Sequence, residues 1–203
     1  MDPASFATAY GLSTSIGLRP FLTLALASLA LHLGYLHVAP AFAALGSDGA
    51  AWLFAALAVL EFVADKVPVV DHGLHALHFG IKPVAAALLV GGALGSATGE
   101  PDALTYAAMG LAALNALGVH AGVTALRGAS TAMTLGFANP FVSVAEDVVA
   151  SGTALLAIAL PFVGAAVAVV LCLAAFAVFR IALSEVRRRR VPAGTAVAVR
   201  PRV

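Results

Sequence analysis

Charged side chains are scarce in this chain, with 11 Lys and Arg and 10 Asp and Glu among 203 residues that are 62% hydrophobic. That leaves too little polar surface to clothe a soluble globule, so a soluble domain is excluded and a membrane protein is expected. Cysteine is nearly absent. Cys172 stands alone inside an apolar run, which rules out a disulfide framework and a Cys-based metal site and leaves a small core or lipid-facing residue. There is no glycine-rich phosphate loop, HExxH, GxSxG or CxxC, so neither an enzyme nor a cofactor is expected. Ser143 or Ser151 could be paired with His120 in the manner of an intramembrane protease, but many membrane sequences would offer as much. A basic leader is also lacking. Only Arg19 precedes the first long apolar run, which exceeds the h-region of about 7 to 15 residues in a secretory signal, and the N-terminus is expected to stay.

What the chain has in abundance is apolar length. Runs such as FLTLALASLALHLGYLHVAPAFAAL (21 to 45) and PFVGAAVAVVLCLAAFAVF (161 to 179) reach or approach the ~20 residues that cross a hydrocarbon core. Punctuation by Gly, Ser, Asp and Pro predicts six spans, at 20 to 44, 50 to 65, 81 to 98, 103 to 126, 141 to 159 and 162 to 184. Pro20, Pro83 and Pro140 suit a first helical turn. Leu160-Pro161 must be a tight hairpin, because a single helix from 141 to 184 would be about 66 Å long. Residues 4 to 18, at ~15 residues, fall short of a crossing and are expected to form a short re-entrant or interfacial helix. If they enter the bilayer, Arg19 is carried deeper and needs a carboxylate. The expected fold is therefore all-α, a polytopic transmembrane bundle of about six helices over 1 to 186. A basic, disordered cytoplasmic tail follows over 187 to 203.

Lys and Arg set the orientation. With the N-terminus in the cytoplasm, Arg19, Lys66, Lys82, Arg127 and the RRRR of 187 to 190 all fall inside, and the outer connections hold no basic residue. Both termini are then cytoplasmic in a cell-membrane protein. The partners implied are the lipid bilayer, anionic lipid at the basic tail, and further copies of the chain, since six short helices enclose little volume. Nucleic acid is not expected.

The same orientation gathers the charges. Glu61 and Asp65, four apart on one helix face, lie at the inner end of the second span, and Glu146 and Asp147 at the inner end of the fifth. Arg19, Lys82 and Arg127 share their depth. A charge at mid-membrane costs at least ~2.5 to 3.5 kcal/mol, so such residues face the bundle interior and pair. A cytoplasm-open polar vestibule is expected, walled by these seven, with Asn115 and His120 on its deeper side. The bland account is a network that fixes helix register, with Lys66 and Arg180 snorkelling to the headgroups.

His72, His75 and His78, with Asp71, suggest a metal only weakly. Three imidazoles spread over ~120° of one helix do not converge, and Gly73 and Gly80 interrupt the helix. Asp71 and His78 are read instead as part of an interfacial connector from Lys66 to Phe79. His32 and His37 read as helix–helix contacts. GVHAGVTALRGAST (118 to 131) reads as close packing of the small-xxx-small kind. FVADKVP (62 to 68) faintly echoes SVAEDVV (143 to 149), but the two would run in opposite senses and do not make a simple inverted repeat.

The strings LEFVADKVPVVDH and HALHFGIKPVAAALL, with GLRPFLTL before them and FANPFVSVAEDVVASG after, resemble the bacterial membrane proteins grouped under domain of unknown function 4126. The resemblance runs from about Gly11 to Arg190. Its most specific part is EFVADKxPxxD with a downstream HxFxxP, carried here by Glu61, Asp65, Lys66, Pro68, Asp71, His78, Phe79 and Pro83, with Lys82 in place of an arginine. It supplies no activity. It implies that Glu61, Asp65, Asp71, His78, Lys82, Glu146 and Asp147 belong to the family pattern and that His72 and His75 are local variation, which weakens the metal reading further. Two functions stay in view: a small transporter or channel with a cytoplasm-facing site for an ion, a proton or a small charged solute, and a non-transporting scaffold or accessory subunit whose charges fix packing.

Overall fold

Small, apolar residues make helices here and glycine and proline end them. The computed structural model describes residues 2–65, 68–95 and 101–190, and of residues 68–72, 75, 189 and 190 only the backbone. Among these described residues seven α-helices follow in order: α1 (Pro3–Leu18), α2 (Pro20–His32), α3 (Asp48–Ala64), α4 (Pro68–Leu94), α5 (Ala103–Thr134), α6 (Asn139–Ala159) and α7 (Pro161–Arg190), with a short 3-10 helix at Pro40–Gly46. The all-helical membrane class is as expected. The hairpin at Leu160-Pro161 and the helix start at Asn139-Pro140 also fall where proline chemistry puts them.

Among the described residues four helices are long and apolar enough to cross a membrane, or up to five if the 3-10 helix and α3, bent by 55°, count as one span. The shortfall from six begins at Gly34. The apolar run from 20 to 44 is not one helix, because Gly34 takes φ +77° and closes α2 in a Schellman turn. Tyr35 N–H reaches Ala30 O at 2.8 Å and Gly34 N–H reaches Leu31 O at 3.1 Å. Pro83, expected at a helix start, lies inside α4. The helix runs on across Gly73, Gly80 and Pro83, so the expected connector is helical from Pro68 onward. Likewise α7 continues through Arg190, four residues past the expected start of the tail; residues 191–203 lie outside the described residues, as do Lys66 and the side chains of Asp71, His72 and His75.

The N-terminal segment is the larger surprise. Rather than lying at an interface, α1 is the axis of the bundle, buried from Ala7 through Leu18 except at Tyr10 and packed on α4, α5, α6 and α7. Its small side chains allow this approach: a Cβ on Gly17 would fall 2.6 Å from Val119 Cβ, and one on Gly11 2.6 Å from Ala157 Cβ. Leu12 and Ile16, fully buried, join Leu89, Ala86, Ala116 and Ala154 in the main core. Asp2 and Ser5 at the start of α1 line a cavity of about 520 Å³ with Tyr35 and His37 beyond α2, Gly95 beyond α4, and Pro161 at the start of α7. Thus α1 and α2 form a hairpin that leaves and returns to one end of the bundle, with its bend at Arg19. The 30 residues of α7 extend about 45 Å, so Asp2 and the end of α7 lie at opposite ends. The expectation that both termini are cytoplasmic concerns residue 1 and residues 191–203, which lie outside the described residues.

Candidate functional site

The bend is built by Arg19-Pro20. Proline disfavours the helical region for the residue before it, and Arg19 is extended, with φ −133° and ψ 95°. Pro20, lacking an N–H, then opens α2. A break of this kind strands the last carbonyls of α1 and the first N–H groups of α2 where water is excluded. Buried charges meet them with the sign that each helix end favours. Lys82 Nζ donates to Gly17 O at 3.0 Å and Leu18 O at 2.8 Å, and Glu61 Oε2 accepts from Phe21 N–H at 3.3 Å. Hydroxyls close the inside of the bend: Thr23 Oγ1 donates to Arg19 O at 2.7 Å, Ser15 Oγ lies 2.6 Å from Thr23 Oγ1, and Ser15 Oγ donates to Ala150 O at 2.8 Å.

Around this bend four elements deliver guanidinium and carboxylate groups. Arg19 pairs with Asp65 at the end of α3 and donates to Ser143 Oγ at 2.8 Å and Ser143 O at 3.1 Å. Its Nε lies 2.8 Å from Asp147 Oδ1 and its Nη2 3.5 Å from Glu146 Oε2. Arg127 of α5 grips Glu146 with two bonds, Nε to Oε1 at 2.9 Å and Nη2 to Oε2 at 2.7 Å, the planar fork that only arginine offers. Its Nη2 also reaches Asp65 Oδ2 at 3.3 Å. The side chains of Arg19, Asp65, Arg127 and Glu146 are 1–8% exposed and that of Asp147 is 18% exposed. The charges therefore pair with one another and do not wall an open vestibule.

Two histidines extend the cluster. Lys82 Nζ also lies 2.8 Å from His120 Nδ1; a charged ammonium donates there and leaves the His120 proton on Nε2. His78 Nε2 lies 3.3 Å from Glu61 Oε1, and the His78 and His120 rings meet edge to face at 6.0 Å. The structure thus brings together Arg19, Glu61, Asp65, Lys82, His120, Arg127, Glu146 and Asp147 as the sequence suggested. It adds His78, buried in the cluster because α4 is helical there, not exposed in a connector. Asn115 does not join. It donates to Ser13 Oγ and Thr14 Oγ1 at 2.8 and 2.9 Å and accepts from Cys172 Sγ at 3.1 Å, a separate polar knot among α1, α5 and α7 that also gives Cys172 a polar contact.

Sequence reasoning missed Ser15, Thr23 and the carbonyls of Gly17 and Leu18; the Arg19-Pro20 dipeptide was the signal that could have found them. His32, at the end of α2, does contact a second helix at the start of α3, whereas His37 lies in the connection after α2 and in no helix. His32, exposed, sits 3.4 Å from Asp48, and His37 lines the cavity at the far end. The weak three-histidine reading depends on the side chains of His72 and His75, outside the described residues; among the described residues no group of three or more His, Cys, Asp or Glu could hold a metal ion.

A family model described as a domain of unknown function (DUF4126) matches residues 6–181. No curated protein and no solved structure matches the chain. The match spans α1 through most of α7 and every residue of the charged cluster, and on it the chain belongs to the family described as domain of unknown function 4126.

Proposed function

We propose that the chain is a small transporter or channel whose site is the broken hairpin α1–α2 and the charges that meet its ends, described here in a closed arrangement. The observation that carries this reading is the break itself. Transporters place ions and charged solutes where discontinuous helices turn their ends toward the middle of the bilayer. Here both ends at Arg19-Pro20 face ionisable side chains, Lys82 and Glu61, that an ion, a proton or a small charged solute could displace. Orientation follows the positive-inside bias: Arg127 and the basic end of α7 face the cytoplasm, Asp2 faces outward, and α3 to α7 cross five times around the hairpin.

Purified protein in liposomes, assayed over a panel of cations, anions and a pH gradient, should show flux that Glu61→Gln abolishes with little change in melting temperature. Absence of flux across the panel would end this reading. One observation favours the second reading, a scaffold or accessory subunit: the Arg19, Arg127, Asp65 and Glu146 side chains are closed and nearly dry. A scaffold predicts that Glu61→Gln and Glu146→Gln lower melting temperature and expression, with no flux to lose.

A further inference from the structure

On the flank of the cluster, α3 and α6 both pack on α2 but not on each other among the described residues. The gap is a cleft of about 310 Å³ between the three helices, open at the surface past Val59, which is 65% exposed. Its walls are apolar, formed by Leu22, Ala58 and Val59, and its polar lining is Glu61, Asp147 and Ser151. Ser151 Oγ is already spent on Asp147 O at 2.8 Å. Glu61 is 98% buried by residue area, being 2% exposed. Its Oε2 holds Phe21 N–H, whereas Oε1, 3.3 Å from His78 Nε2, accepts no hydrogen bond among the described residues.

We propose that this cleft binds a hydrophobic primary ammonium that enters sideways from the bilayer, its charged head at Glu61 and its hydrocarbon chain along Leu22, Ala58 and Val59. A buried carboxylate oxygen without a donor is costly and calls for one. A bare metal ion would find too few oxygen ligands among apolar walls, and a fully hydrated one would wet them. An alkylammonium supplies N–H donors at one end and apolar surface at the other. The volume sits at the lower end of small-molecule sites and holds about ten groups the size of a water molecule. Both a free alkylamine and the aminoethyl headgroup of a lipid carry this chemistry.

The test uses the full chain in phosphatidylcholine nanodiscs with radiolabelled dodecylammonium. Saturable binding above that of empty discs is expected. It should weaken about tenfold or more in Glu61→Gln, as for loss of one partner of a buried charge pair. Ala58→Phe, which fills the cleft without touching the ion pairs, should weaken it equally while leaving the melting temperature without amine unchanged; it decides the matter if Glu61→Gln does not fold. Competition by phosphatidylethanolamine built into the discs identifies a lipid headgroup as the source, and lack of competition a free amine; both support the site. Wild-type binding in both variants, or equal competition by uncharged dodecanol, overturns it. Binding is read at equilibrium, so a failure to find flux leaves the site standing and a failure to bind leaves the transport reading standing.

Discussion

Arg19 is the residue on which the buried charge converges, with Asp65, Glu146, Asp147 and Ser143 within reach of one guanidinium. Deleting one member of such a set strands the others, at a cost of about 3–5 kcal/mol. Arg19→Ala should therefore lower unfolding stability by that amount in detergent titrations. Arg127→Lys, which keeps the charge but loses the fork on Glu146, should cost about 1–3 kcal/mol. A smaller loss in Arg19→Ala than in Arg127→Lys would contradict the assignment of roles. At this scale the sequence was a good guide: in so apolar a chain each ionisable residue is conspicuous, and expense demands pairing. His78 was hidden because Gly73, Gly80 and Pro83 read as breaks, and α4 runs through all three. Main-chain groups are invisible to any search by residue type, so the carbonyls that hold Lys82 were beyond it.

Helices here are placed by glycine more than by length. Gly122 lies so close to α7 that a Cβ would fall 2.5 Å from Ala175 Cβ, whereas Gly118, four residues earlier on the same helix, has open space. Gly122→Val should destabilise by about 1–3 kcal/mol, as overpacking does, and Gly118→Ala should be neutral or slightly stabilising; equal melting temperatures for the two would refute the packing of α5 on α7. The small-residue stretch was legible as packing, though not which glycine makes the contact. The count of six is not confirmed among the described residues, because length counting treats apolar residues alike. Gly34 and Pro40 cut the first run into pieces, and α1, short for a crossing, is buried by neighbours that no local window can see.

For the molecule as a whole, the proposed orientation predicts where the two ends lie. Tags at the N- and C-terminal ends should be accessible to impermeant reagents from opposite faces of sealed cells or vesicles; labelling of both from one face would overturn the proposed orientation. The α1–α2 hairpin bears on biosynthesis. At 16 and 13 residues, α1 and α2 are both short of the ~20 that hold a lone helix across a bilayer, and the arginine between them finds its carboxylates on α3 and α6. Nascent chains ending before Asn139 should accordingly leave a cysteine at Ser15 open to aqueous thiol reagents, and chains ending after Ala159 should protect it. The hairpin, made before α3 to α6, is then seated only after them, so its assembly waits on later synthesis.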